Sequence, residues 1–207
     1  MPRAVLVIGG DESLACSPLY DQPSDTAHAV AAVLLDINWV VSIVDSNEIA
    51  GQEAAAKVKA NFYRADIQDW ASLSTAFNQT VHNHGWINFV FANAGVTDPR
   101  IFYDSHSSTP PPEPDFSLLD INLQGTVNTS YLAQHYFRMI RQALQQDVGD
   151  FDPSLVFTSS IAALAAIPEV PIYSAAKSGI VAFAHAIAPR SSRRMGSVFR
   201  LSAPVGS

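Results

Sequence analysis

Ala4-Val5-Leu6-Val7-Ile8, cut short by Gly9, Gly10, Asp11 and Glu12, is the stretch on which the reading of the fold turns. A short continuous apolar run bounded by turn residues reads as a strand buried on both faces, the kind found inside a parallel sheet. It is far too short to cross a bilayer or to serve as the apolar region of a leader. Working outward, similar runs recur at 40–44, 62–64, 87–92, 155–158 and 198–201. Segments of helical period separate them at 26–35, 48–60, 70–82, 116–145 with a break near Gly125, and 172–188. About six strands alternating with helices, joined by right-handed crossovers, predict a single doubly wound Rossmann-type α/β domain over residues 1–207.

The composition agrees. The chain has 207 residues, 48% of them hydrophobic and 15% charged, enough for one well-filled core and too few for two full domains. A formal charge of -7 gives no field that would draw nucleic acid or an anionic membrane. A single cysteine, Cys16, excludes an internal disulfide, and no Cys/His set suggests a metal, so a reduced cytoplasmic setting is expected. Leu14-Ala15-Cys16 echoes a lipoprotein cleavage site, but the acids before it spoil the required apolar region.

In an open parallel sheet, ligands bind beyond the carboxyl ends of the strands, where the strand order reverses. That rule directs attention to residues 9–15, Asp45, Asp66, 93–95, Ser159, Ser160 and 202–206. Two connections are long. Residues 9–24 hold Pro18, Pro23 and several acids, and residues 96–115 include Pro110-Pro111-Pro112-Glu113-Pro114, which reads as a stiff surface loop.

Tyr173 and Lys177 stand four apart on a predicted helix and so share one face. An ammonium near a phenol favours phenolate and brings its proton exchange toward neutral pH. Ser160, thirteen residues before the tyrosine at the end of a buried strand, can aim a hydroxyl at the same substrate oxygen.

These residues resemble the short-chain dehydrogenase/reductase family over most of the chain. The family's Y-x-x-x-K appears as Tyr173-Ser174-Ala175-Ala176-Lys177, and its catalytic serine matches Ser160. Its N-A-G is Asn93-Ala94-Gly95, and its active-site asparagine is Asn122 in Ile121-Asn122-Leu123. Local texture at 91–95 and 129–138 is most similar to the 15-hydroxyprostaglandin dehydrogenase branch.

The resemblance implies an oxidoreductase that interconverts a secondary alcohol and a ketone with NAD. Tyr173 would be the general acid/base, Lys177 its electrostatic partner and a contact of the nicotinamide ribose. Ser160 would hold the substrate oxygen, and Asn122 would anchor a proton-relay water. Gly9, Asn93, Ala94 and Gly95 would line the cofactor. Asp45 would bind the adenosine ribose and disfavour NADP; alternatively it caps the turn before the helix at Glu48. Asp66 would flank the adenine or, equally, cap a helix. The resemblance also allows a homodimer through the helices at 116–145 and 172–188.

Two departures qualify the match. The family opens with T-G-x-x-x-G-x-G; here Ile8 and Gly9 are followed by Ser13 and Ala15 where the later glycines belong, with Asp11 and Glu12 in the same turn. Weak cofactor binding is therefore expected. After the sixth predicted strand the sequence reads Pro204-Val205-Gly206-Ser207, without the family's substrate lid and last strand. A non-redox descendant, an isomerase or cyclase using Tyr173, and an inactive binding protein remain the alternatives.

Other motifs weigh less. No G-x-S-x-G elbow supports a serine hydrolase. His82 and His84 read as the polar end of a helix, Arg190, Arg193 and Arg194 as a solvated connection, and the N-x-S/T triplets at Asn78 and Asn128 as helix positions.

Overall fold

The computed structural model describes residues 3–9, 26–97, 102–144, 151–195 and 198–202, with backbone alone for 189–195 and 198–202. Six strands form one parallel sheet in the order β3-β2-β1-β4-β5-β6. They are β1 (Ala4–Ile8), β2 (Val40–Asp45), β3 (Asn61–Arg64), β4 (Phe89–Ala92), β5 (Ser154–Thr158) and β6 (Val198–Ser202). The helices are α1 (Thr26–Asp36), α2 (Glu48–Val58), α3 (Trp70–His84), α4 (Ser117–Leu119), α5 (Gly125–Leu144) and α6 (Pro171–Met195). Strand order reverses between β1 and β4, which places the crevice for a ligand between their carboxyl ends.

Every residue of β1 is buried, as its unbroken apolar run requires. Its side chains alternate between two cores. Leu6 and Ile8 join Leu73 and Phe77 of α3, Leu132 and Phe137 of α5, and Ile180 of α6. Val5 and Val7 join Ala27 and Ala31 of α1, Val41 and Ile43 of β2, and Ala55 of α2. Tyr136 stacks on Phe77 at 5.6 Å within the first core.

Helix boundaries follow local chemistry. Asp69 caps α3 by accepting from the backbone N–H of Ala71 and Ser72, and Gly85 closes it at φ 83° while donating to Val81. Asn47 caps α2 through Ala50, and Lys59 ends it in the left-handed region. Arg190, Arg193 and Arg194, read from sequence as a connection, lie instead within α6, which runs on to Met195. No helix among the described residues is long and apolar enough to cross a membrane.

At the amino ends of β2 and β3, away from the ligand crevice, His84 Nε2 lies 3.2 Å from Ser42 Oγ and 3.2 Å from Asn61 Nδ2. The amide nitrogen can only donate, so Nε2 accepts and the ring is neutral. Burial lowers the His84 pKa below its ordinary value. The folded state thus binds this proton less readily than the unfolded chain, so its contribution is complete above the ordinary histidine pKa and declines as pH falls through and below it. As pH falls from about 7 through the ordinary histidine range, unfolding followed by denaturant should show a loss of stability that His84→Gln lacks. Parallel decline of both proteins would refute the assignment.

Candidate active site

The site is assembled where β1, β4 and β5 end. Gly9 follows β1 at φ 85°, a conformation that favours glycine, and a Cβ there would come within 2.6 Å of Ala94 Cα. The backbone N–H groups of Asn93 and Ala94 both donate to the Ile8 carbonyl, at 3.1 and 2.9 Å. Asn93 then ties three strand ends together: its Nδ2 donates to Gly9 O at 3.4 Å and its Oδ1 accepts from Thr158 Oγ1 at 2.7 Å.

Thr158 is a positioning residue that the sequence reading passed over. Its hydroxyl holds Asn93, and its carbonyl accepts from Lys177 Nζ at 3.3 Å. The signal was a hydroxyl residue closing an otherwise apolar strand directly before the two serines.

Tyr173 sits in the first turn of α6, whose opening residue Pro171 is suited to that position. Lys177, one turn later, is buried, with Nζ 5.5 Å from the centre of the Tyr173 ring. Burial pushes its pKa down to about 8. That depression corresponds to about 3 kcal/mol of unfavourable desolvation at neutral pH, borne for an ammonium whose hydrogen-bond acceptor among the described residues is one carbonyl. Such strain is characteristic of functional sites.

Ser160 lies two residues beyond β5 and is buried; its Oγ accepts from Ala162 N at 3.3 Å, starting a short 3-10 turn at Ile161–Ala163. Accepting that bond leaves the hydroxyl proton for another oxygen. The turn is fastened to α6 by Ser159 Oγ donating to Lys177 O at 3.2 Å and Ser178 Oγ donating to Ala163 O at 3.4 Å. Ser160 and the tyrosine helix are therefore held as one unit.

Asn122 is completely buried, on a π-helical turn at Asp120–Gln124 that replaces the break expected near Gly125. Such turns are frequent at functional sites. Its Nδ2 donates to Val96 O at 2.8 Å and its Oδ1 accepts from Val96 N at 2.7 Å, so the side chain clamps the segment after β4. Its main-chain carbonyl accepts from Thr126 Oγ1 at 2.7 Å.

Two acids mark the other half of the crevice. Asp45, the last residue of β2, accepts from Asn47 N at 2.8 Å, which realises the turn-capping alternative without removing the carboxylate from the strand end. Asp66, half-buried after β3, accepts from Gln68 N at 2.9 Å. It is not the helix cap; Asp69 is.

A nicotinamide dinucleotide fits these described residues. A Cβ on Gly95 would lie 3.0 Å from Asn122 Oδ1 and 3.1 Å from Lys177 Nζ, so the bare glycine leaves room over the ammonium and the clamp. A strand-end carboxylate stands at Asp45, and Gly9 supplies the first glycine of the turn. Ser13, Ala15, Asp11 and Glu12 lie outside the described residues. Among the described residues no group of three His, Cys, Asp or Glu side chains could hold a metal ion.

A family model described as short chain dehydrogenase matches residues 26–195. The short-chain dehydrogenase/reductase prx7 of Penicillium rubens is 39% identical over 167 residues, covering 77% of this chain and 57% of its own length. The prx6 protein of the same fungus is 29% identical over 196 residues, covering 91% of this chain and 62% of its own length. This chain thus spans about three-fifths of the length of these relatives. A short chain dehydrogenase/reductase from Burkholderia phymatum, solved in complex with NAD, superposes with a TM-score of 0.76 at 16% identity, covering 98% of this chain and 65% of that one.

Proposed function

Because this chain belongs to the short-chain dehydrogenase/reductase family, we propose that it interconverts a secondary alcohol and a ketone with a nicotinamide cofactor. The observation that carries the reading is the buried Lys177, held between the Thr158 carbonyl and the Tyr173 ring. An ammonium so placed favours the phenolate, which lets Tyr173 take the alcohol proton or return it to the ketone oxygen. Ser160 donates to the same substrate oxygen as charge develops on it. Lys177, whose ammonium lies beside Gly95, would contact the nicotinamide ribose. The cofactor, when bound, gives or accepts the hydride; alignment and charge are the contribution of the protein.

The adenosine end would lie at Asp45, with Asp66 toward the adenine. A carboxylate there accepts the ribose hydroxyls and repels a 2'-phosphate, favouring NAD. A protein of the same fold was solved with NAD bound, which supports a nicotinamide cofactor. A homodimer through α5 and α6 in a reduced, cytoplasmic setting completes the reading.

The test is isotope transfer. With NADH deuterated at the transferable position and a panel of small ketones, product alcohol should carry one deuterium on the carbinol carbon by mass spectrometry. Turnover without deuterium uptake and without need of dinucleotide would replace this reading by isomerase or cyclase chemistry.

A further inference from the structure

The sheet end that carries Asp45 also carries a cation that the reading above leaves unused. Arg64 closes β3, and the parallel register pairs it with Asp45 on β2. Paired residues of neighbouring strands send their side chains to the same face, so Asp45 and Arg64 stand on one face at the ends of adjacent strands. Arg64 Nη1 donates to Glu48 Oε2 at 3.3 Å, with side chains 67% and 53% exposed. The other oxygen of Glu48 accepts from Gln52 Nε2 at 3.4 Å, so Glu48 is steadied from its own helix.

A pair this exposed contributes little to the fold and is readily exchanged. A phosphate is a better partner for a guanidinium than one carboxylate oxygen, because the planar fork can meet two phosphate oxygens at once. A phosphate added at the 2' position of a ribose held by Asp45 would meet repulsion from β2 and attraction from β3. We propose that Arg64 is a reserve anchor for the 2'-phosphate of NADP and that Glu48, by holding Arg64, sets how strongly the chain prefers NAD. The proposal rests on the nicotinamide reading. It makes cofactor preference a balance among three residues, with Asp45 opposing the phosphate, Arg64 favouring it and Glu48 competing for Arg64.

The experiment is direct titration of NAD and NADP onto the full chain at low ionic strength, by calorimetry or ligand-observed magnetic resonance at millimolar ligand. Glu48→Gln should raise NADP affinity about three- to tenfold while NAD affinity stays within about twofold. Arg64→Ala should weaken NADP by a similar factor and leave NAD alone, and in the Glu48→Gln background it should remove the gain. Asp45→Ala should also improve NADP, by loss of repulsion, and this gain should survive Glu48→Gln. NADP affinity indifferent to Arg64→Ala, or a Glu48→Gln gain that persists without Arg64, overturns the proposal while leaving the nicotinamide site standing. Failure of every variant to bind either dinucleotide overturns both.

Discussion

Replacing Tyr173 with Phe is expected to reduce turnover of any alcohol or ketone accepted by this chain by on the order of 10²-fold or more. The substitution removes one oxygen from a half-buried side chain in the first turn of α6 and leaves the packing of that turn in place. Lys177→Ala acts on the same proton transfer, so the double variant should be little worse than the worse single one. The two differ in their effect on stability. Lys177 is buried with its pKa held down to about 8, so its removal takes away a desolvated charge as well as some packing, whereas Tyr173→Phe takes away neither. Rates measured with saturating substrate and cofactor decide the matter, and near-normal turnover by Tyr173→Phe would remove the tyrosine from the chemistry.

Much of this arrangement was legible in the sequence. The alternation of apolar runs and helical segments located all six strands, most plainly β1, whose unbroken apolar run is buried on both faces. The spacing of Tyr173 and Lys177 put them one turn apart on a single helix, as α6 has them, since four residues on a helix fix a shared face before any tertiary contact is known. The likeness to the 15-hydroxyprostaglandin branch rests on local texture alone.

What escaped the reading depends on contacts between distant parts of the chain. The π-helical turn at Asp120–Gln124 turns Asn122 toward Val96, twenty-six residues away in sequence. Periodicity registers only a break near Gly125. Thr158 and Asn93 find each other across sixty-five residues, and Ser42 meets His84 across forty-two. Each is an ordinary polar residue within its own segment, and only the assembled sheet shows what it holds. The capping role weighed for Asp66 belongs to Asp69 for a local reason: three residues apart, both suit the start of α3, and the cap is the one whose carboxylate reaches the N–H groups of Ala71 and Ser72.

The second large effect is expected from the segment between β1 and α1. Gly9 has the conformation the turn requires, but Ser13 and Ala15 stand in place of two glycines, with Asp11 and Glu12 beside them. In a loop of the family's kind, side chains at those positions would hinder the close approach of backbone N–H groups to a diphosphate. At an effective dielectric of about 20, one carboxylate ~5 Å from a phosphate charge is unfavourable by about 3 kcal/mol before screening, roughly a hundredfold in affinity. Replacing the loop from Gly9 to Ser24 by a short glycine-rich turn should recover about that factor. The proposed function thus predicts an acid–base group at Tyr173 and Lys177 beside a nicotinamide site that would be poor at its phosphates. Calorimetric titration of NADH onto the unmodified chain and the loop variant tests this most directly. The expected result is a dissociation constant well above the micromolar range for the unmodified chain, tightening sharply in the variant. Tight, stoichiometric binding by the unmodified chain would contradict it.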